Sequence, residues 1–202
     1  MPFAPEYEID EKTMACSGYL KLYRYIVSYR AFGGGWLKRV SREVVANGEA
    51  VVVLPYDPKM DAIVVTEQFR IGAMAAGRNP WVLGLVAGMM HAGEVEEDVG
   101  RREGLEEINC KISRMKKIAD FMPSPGISSE VVHVYAGEVD ASGAGGIGGV
   151  ADEKEDIRIS VLSADEALRL FSEGRFISAA SVVALQWLAA NRAGLRREWG
   201  AA

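Results

Sequence analysis

A mixed α+β fold is predicted from three features of the 202-residue sequence. Strand-length apolar runs dominate the first part of the chain, and Ala50 to Leu54 is apolar without a break, the pattern of a strand covered on both faces. Glu96 to Ile108 is a strongly charged segment of helical character. Two more helices close the chain, each preceded by a serine suited to capping. With 49% hydrophobic and 25% charged residues, the chain can bury a substantial core and needs no disulfide or metal staple.

The elements follow in order. Tyr19 to Phe32 is rich in Tyr, Val and Ile, as strands are, and Leu37 to Val45 returns after the turn Phe32-Gly33-Gly34-Gly35-Trp36. Asn47-Gly48 marks a further turn. Ala50 to Leu54 and Ala62 to Thr66 form a central hairpin through Tyr56-Asp57-Pro58-Lys59. Trp81 to Ala87 is a strand, the charged helix follows, and strands return at Lys117 to Phe121, Val131 to Val139 and Ile157 to Leu162. Ser163 with Glu166 makes a capping box for a helix that Gly174 stops. Ser178 caps the last helix, which runs to about Ala193, before Gly194. This gives a strand-rich N-terminal piece, 1–47, and a main domain, 48–202. The first piece is too thin to bury its own apolar faces and is expected to pack on the main domain or on a second subunit.

Composition excludes several functions. A net charge of −5 offers no clustered positive surface for nucleic acid. The start, MPFAPEYEIDEK, lacks the basic and apolar regions of a signal peptide. The longest apolar stretch, Ala179 to Ala190, is broken by Ser181 and Gln186 and is too short to span a bilayer. Cys16 and Cys110 make no disulfide framework, and His91 and His133 are too few for a histidine-built metal centre. A cytoplasmic protein without nucleic-acid or membrane partners is expected. The acids are concentrated: Glu94 to Glu107 holds seven acids and two arginines, and Ala151 to Asp156 four acids and one lysine. The second group ends the glycine-rich stretch SGAGGIGGVADEKED, which reads as a long, mobile loop of the kind that carries function.

On a helix with about 100° per residue, Glu103 and Glu107 lie about 40° apart, and Glu106 flanks Glu103 on the other side. Carboxylates on one ridge repel each other. Charge alone leaves two readings open: a solvated acidic face, or ligands for a hard divalent cation. Gly104 inside the helix, at a cost of roughly 1 kcal/mol relative to Ala, has no use on a solvated face.

Gly88 is followed after five residues by Glu94, after seven more by Arg102-Glu103, and then by Glu106-Glu107. This spacing resembles the Nudix box, G-x5-E-x7-R-E-U-x-E-E-x-G-U with U apolar; Gly104, Asn109 and Cys110 depart from it, and Val95 stands where a serine cap is usual. The resemblance runs from about Tyr19 to Trp199 and points to the bacterial ADP-ribose pyrophosphatase branch of that family. It is carried by Glu67-Gln68-Phe69-Arg70, by Val86-Ala87-Gly88, by Ser124-Pro125-Gly126-Ile127-Ser128-Ser129-Glu130, by Ala151 to Asp156 and by Ala179 to Leu188.

The resemblance implies a Nudix α/β/α sandwich with a mixed sheet, whose N-terminal subdomain is swapped in a homodimer. It implies Mg²⁺-dependent hydrolysis of ADP-ribose to AMP and ribose 5-phosphate, with Mn²⁺ as a substitute. Glu103, Glu107, Glu106, Glu155 and the Ala87 carbonyl would hold metal, and Glu153 would be the general base. Arg70 would meet a phosphate, and Ser124, Pro125, Gly126 and Glu130 would line the terminal ribose. Arg42 and Glu43 would reach the partner's site, and Tyr19 would lie against the adenine. Gly88, Glu94 and Arg102 would brace the box. Asn47, Gly84, His91 and Ala92 depart from the branch pattern and bear on substrate preference. The alternatives are another nucleoside diphosphate sugar, such as GDP-mannose, as substrate, or a non-catalytic nucleotide-sensing module.

Overall fold

The computed structural model describes residues 6–200. The chain divides into two units, Met1–Gly48 with Met122–Val131 and Glu49–Phe121 with Val132–Ala202. In the first, β1 (Tyr7–Ser17), β2 (Lys21–Arg30) and β3 (Trp36–Ala46) form an antiparallel sheet in the order β1-β2-β3. All of β1 is exposed. Its apolar alternation fades after Ile9 into Asp10-Glu11-Lys12, so the sequence carries no strand signal there, and pairing to the Tyr- and Val-rich β2 makes it a strand. Segment 122–131 attaches to β3, where the Val45 N–H donates to the Ile127 carbonyl at 2.8 Å and the Ser129 N–H to the Val45 carbonyl at 3.1 Å.

The second unit holds β4 (Glu49–Asp57), β5 (Ala62–Phe69), α1 (Ile71–Ala75), β6 (Trp81–Gly84), β7 (Val86–Met89), α2 (Glu96–Ile108), β8 (Met115–Phe121), β9 (Val131–Glu138), β10 (Gly146–Gly148), β11 (Ile157–Ser163), α3 (Ala164–Ser172) and α4 (Ala179–Glu198). The sheet order is β10-β11-β5-β4-β9-β8, with β6 on β5 and β7 on β4. The sheet is mixed. β4 and β9 run the same way, with His133 beside Glu49 and Val139 beside Tyr56, while the neighbouring β4–β5 and β8–β9 pairs are antiparallel.

Alternation along β4 builds two cores. Val52, Leu54 and Tyr56 point to α3 and α4 and join Leu185, Leu188, Leu195 and Trp199. Val51 and Val53 point the other way and join Val99 and Ile108 of α2. The sheet is therefore covered on both faces, as the unbroken Ala50 to Leu54 run requires.

Four details differ from the sequence reading. The central hairpin pairs only at its turn, Tyr56 with Ile63 and Asp57 with Ala62, because β6 and β7 fill the gap where β4 and β5 diverge. The strand from Trp81 is broken at Leu85. α4 continues through Gly194 to Glu198, since burying Leu195 and Trp199 outweighs a helical glycine's cost of about 1 kcal/mol. The glycine-rich stretch is docked: β10 pairs with β11, and a Cβ on Gly148 would lie 2.1 Å from the Glu107 carbonyl oxygen. Among the described residues, no helix is long and apolar enough to cross a membrane.

Asp61 ties the β4–β5 turn to α4. It accepts from the Tyr56 hydroxyl at 2.6 Å and from Arg192 at 2.8 and 2.5 Å, and pairs with Arg196 at 3.2 Å. The Arg192 guanidinium holds its carboxyl below the ordinary value of 3.8. That stabilisation is present above the unfolded value and is lost as pH falls through the lower folded one. Asp61→Asn is expected to lower unfolding free energy by about 2 kcal/mol near neutral pH. The gap from wild type should shrink in urea melts as pH falls below 3.8.

Candidate active site

The charged segment forms α2 between two loops that the sequence itself shapes. Its start lacks a side-chain cap, because Val95 is the N-cap, and three acids, Glu96, Glu97 and Asp98, occupy the first turn where the helix dipole favours them. Its end is Asn109 in the left-handed conformation (φ 54°), which Asn tolerates, and the Cys110 N–H closes on the Gly104 carbonyl at 3.0 Å. Gly104 is where α2 meets its neighbour: an added Cβ would lie 2.7 Å from Ile112 Cδ1. Close packing accounts for a glycine that a solvated helix would not need.

The carboxylate ridge faces β7. Glu107 is 2% exposed and accepts from the Ala87 N–H at 3.0 Å. Gly88 leaves room for Glu103, whose Oε1 would lie 1.7 Å from a Cβ on that residue. Arg102 is the hub of the preceding loop. Its Nη1 donates to Glu103 at 2.6 Å and Glu106 at 3.1 Å, and its Nη2 to the Met89 carbonyl at 3.3 Å and Glu94 at 3.5 Å. Glu94 also accepts from the His91 N–H at 2.7 Å, which holds its carboxyl below the ordinary range.

Burial pushes Glu107 up to about 8, and Glu103 and Glu155 add repulsion that the Ala87 N–H and Arg70 only partly offset. Burial likewise pushes Glu103 up to about 7; Arg102 opposes this, while Glu106 and Glu155 reinforce it. Glu155 and Arg70 thus lie within electrostatic reach of the ridge. Two crowded carboxylates, one of them almost wholly buried, form an oxygen-rich donor set that suits a hard divalent cation.

The glycine-rich segment closes over the last turn of α2. The Gly149 N–H donates to the Glu106 carbonyl at 3.1 Å, and β10 ends at Gly148 on Glu107. Ala151–Glu153 then forms a 3-10 turn with Glu153 exposed, and Glu155 Oε2 accepts from the Val150 N–H at 3.2 Å. Arg70 is exposed at the end of β5, its backbone N–H bound to the Pro80 carbonyl at 2.8 Å.

The remaining expected residues lie in the first unit. Ser124, Pro125 and Gly126 make a turn in which the Ser124 carbonyl accepts from the Ile127 and Ser128 N–H groups at 3.0 and 2.9 Å. The Glu130 N–H donates to the Ser128 hydroxyl at 3.1 Å. Glu43 pairs with Arg24 at 2.7 Å, Arg42 donates to the Ser41 carbonyl at 2.9 Å, and Tyr19 is 97% exposed.

Sequence reasoning missed Gln68. On β5 it alternates with Val64 and Thr66, facing the side covered by α2, and its Nε2 is buried without a partner among the described residues. It also missed the role of Gly148 and Gly149, for which the unusual run Gly-Gly-Ile-Gly-Gly was the available signal.

Glu107→Gln is expected to relieve the cost of burying a carboxyl that must take up a proton to lose its charge. Without divalent ions its midpoint of thermal unfolding should rise by about 3 °C, the scale of 1 kcal/mol in a chain this size. A divalent salt is expected to raise the wild-type midpoint further and to leave the variant's unchanged, which scanning calorimetry with and without the salt reads directly.

The family model of the NUDIX domain matches residues 46–185. The chain is 43% identical over 192 residues to a protein named ADP-ribose pyrophosphatase from Escherichia coli (strain K12), covering 95% of this chain and 92% of that one. It is 28% identical over 180 residues to a protein named GDP-mannose pyrophosphatase from Pectobacterium atrosepticum, covering 89% and 92%. A crystal structure titled ADP compounds hydrolase shares the fold, with a TM-score of 0.69 at 17% identity over 92% of this chain and 96% of the other.

Proposed function

The chain belongs to the Nudix hydrolase family, and from that premise we propose that it hydrolyses the pyrophosphate bond of ADP-ribose, giving AMP and ribose 5-phosphate, with Mg²⁺ as its metal. The observation that carries the reading is the Glu103–Glu107 ridge, two carboxylates whose burial and mutual repulsion call for a cation. The relative named for ADP-ribose is closer than the one named for GDP-mannose, at 43% against 28% identity, which favours the adenosine substrate.

Glu103, Glu107, Glu106, Glu155 and the Ala87 carbonyl would hold the metal, for which Mn²⁺ can substitute. When bound, divalent ions neutralise the pyrophosphate and acidify a coordinated water. Glu153, exposed on its turn, accepts the proton of the attacking water as the new P–O bond forms and the P–O–P bridge breaks. Glu155 accepts the Val150 N–H through Oε2, which leaves Oε1 to serve as a ligand. Arg70 receives a phosphate, where a guanidinium fork fits the oxygens. Gly88, Glu94 and Arg102 keep the ridge in place, and Ser124, Pro125, Gly126 and Glu130 take the terminal ribose.

The piece 1–47 serves in trans. Its exposed sheet supports a swapped homodimer in which Arg42, Glu43 and Tyr19 meet the partner's substrate. The setting is the cytoplasm, which keeps exposed Cys16 reduced.

Glu153→Gln should lose rate by about 10²-fold or more while still binding Mg²⁺ and substrate. Turnover within a few-fold of wild type would show that another group takes the proton. In a panel of nucleoside diphosphate sugars, ADP-ribose should be the best substrate, and equal turnover of GDP-mannose would reassign it. Light scattering at micromolar concentration should return the mass of two chains; a single-chain mass would remove the role in trans.

A further inference from the structure

α2 carries the ridge, yet its first turn has no side-chain cap, so another contact must hold that end. The contact is a cluster at Glu96. Glu96 Oε2 accepts from Lys117 at 2.9 Å and from the Tyr135 hydroxyl, and Oε1 lies 3.5 Å from His133 Nδ1. His133, 7% exposed, sits between two further carboxylates, with Nδ1 2.7 Å from Asp120 Oδ1 and Nε2 3.0 Å from Glu49 Oε2. Ionised carboxylates only accept hydrogen bonds, and a neutral imidazole carries one N–H. Satisfying both sides takes the doubly protonated ring.

Glu96, Asp120 and His133 present ligand atoms within 4.8 Å of one another, a span that suits a metal ion. The Lys117 ammonium, however, lies 2.9 Å from both carboxylates and fills that role. The cluster is an ion-pair network of three acids, Glu49, Glu96 and Asp120, against Lys117 and His133. Tyr135 also faces it, pushed up to about 12 by its own burial and by Glu96, with Glu97 adding to the effect.

We propose that His133, as an imidazolium bridging Glu49 and Asp120 beside Glu96, is a positioning residue for the catalytic helix: it pins the first turn of α2 to the sheet and so keeps Glu103 and Glu107 aligned for metal. This rests on the reading that those two residues hold the metal. Glu96 and Glu103 lie on one continuous helix, and its first turns pack closely: a Cβ on Gly100 would lie 2.6 Å from Met115 and 2.9 Å from Val53. A tilt at the N-terminus therefore moves the ridge. Burial lowers His133, but the bonds to Asp120 and Glu49 and the charge of Glu96 outweigh it and hold the ring above its ordinary value. Its contribution is present at lower pH and is lost as pH rises through the folded value.

The chain's two histidines make this readable by NMR in the full-length protein. The ring resonance missing from His133→Gln identifies His133, whose midpoint is expected above about 6.5. Relative to His133→Gln, the wild-type Mg²⁺ concentration for half-maximal ADP-ribose turnover should rise as pH passes that midpoint, a comparison that cancels the ionisation of Glu103 and Glu107 themselves. Glu49→Gln alters a side chain that is 57% exposed and so spares the core. It should lower the His133 midpoint and carry the rise in Mg²⁺ requirement to lower pH with it. His133→Gln should raise the requirement about tenfold near neutral pH, the scale of losing a residue that supports a metal ligand. A midpoint at or below the ordinary value overturns the proposal. So does a Mg²⁺ profile that stays in place in Glu49→Gln, the variant that decides the matter if His133→Gln does not fold. Failure of the metal-site reading shows separately, as Mg²⁺-dependent turnover that survives Glu103→Gln.

Discussion

A row of carboxylates pressed against a strand backbone is the constraint to which the rest of the second unit answers. Like charges in a poorly polarisable setting repel strongly, and each pays to leave water. Nothing in the ridge itself favours the folded chain. What holds it are contacts on either side: the Ala87 N–H on Glu107, Arg102 across Glu94, Glu103 and Glu106, and the glycines that let α2 approach its neighbours. At Gly88, Gly100, Gly104 and Gly148 a methyl group would collide. The glycines are costs to the local elements and gains to the assembly.

The stability that offsets the ridge lies mainly on the opposite face of the sheet. There α3 and α4 bury Ala167, Leu185, Leu188 and Leu195 against Leu54, Tyr56 and Ile63. The α2 side is smaller and mixes Val99, Ile108 and Ile112 with the site. The sheet thus separates an apolar layer that stabilises from a polar layer that works, and β4, buried on both faces, is the plate between them.

Much of this was legible in the sequence. The limits of α2 followed from charge and from Asn109, and the strands of the second unit from apolar runs. The misses have physical causes. β1 is stabilised by pairing with β2, a long-range contact with no local signature. The end of α4 is decided by Leu195 and Trp199 packing beneath it, which overrides the local signal of Gly194. The acidic loop looked free because glycine runs usually are; here glycine is what lets the backbone lie on Glu107. Gln68 was invisible as a donor because an orphaned amide is a property of its surroundings. His133 was set aside as one of too few histidines for a metal centre, whereas its partners are acids from β4, β8 and α2.

β1 has a consequence of another kind. It is an edge strand, exposed along its whole length. Such a strand is an open template for strangers. This one carries Glu8, Asp10, Glu11 and Lys12, and its pairing with β2 is offset twice, between Ile9 and Glu11 and between Met14 and Cys16. Charges and bulges are what keep a bare edge from recruiting copies of itself. The strand that leaves its backbone groups open is therefore also poorly suited to seed a fibril.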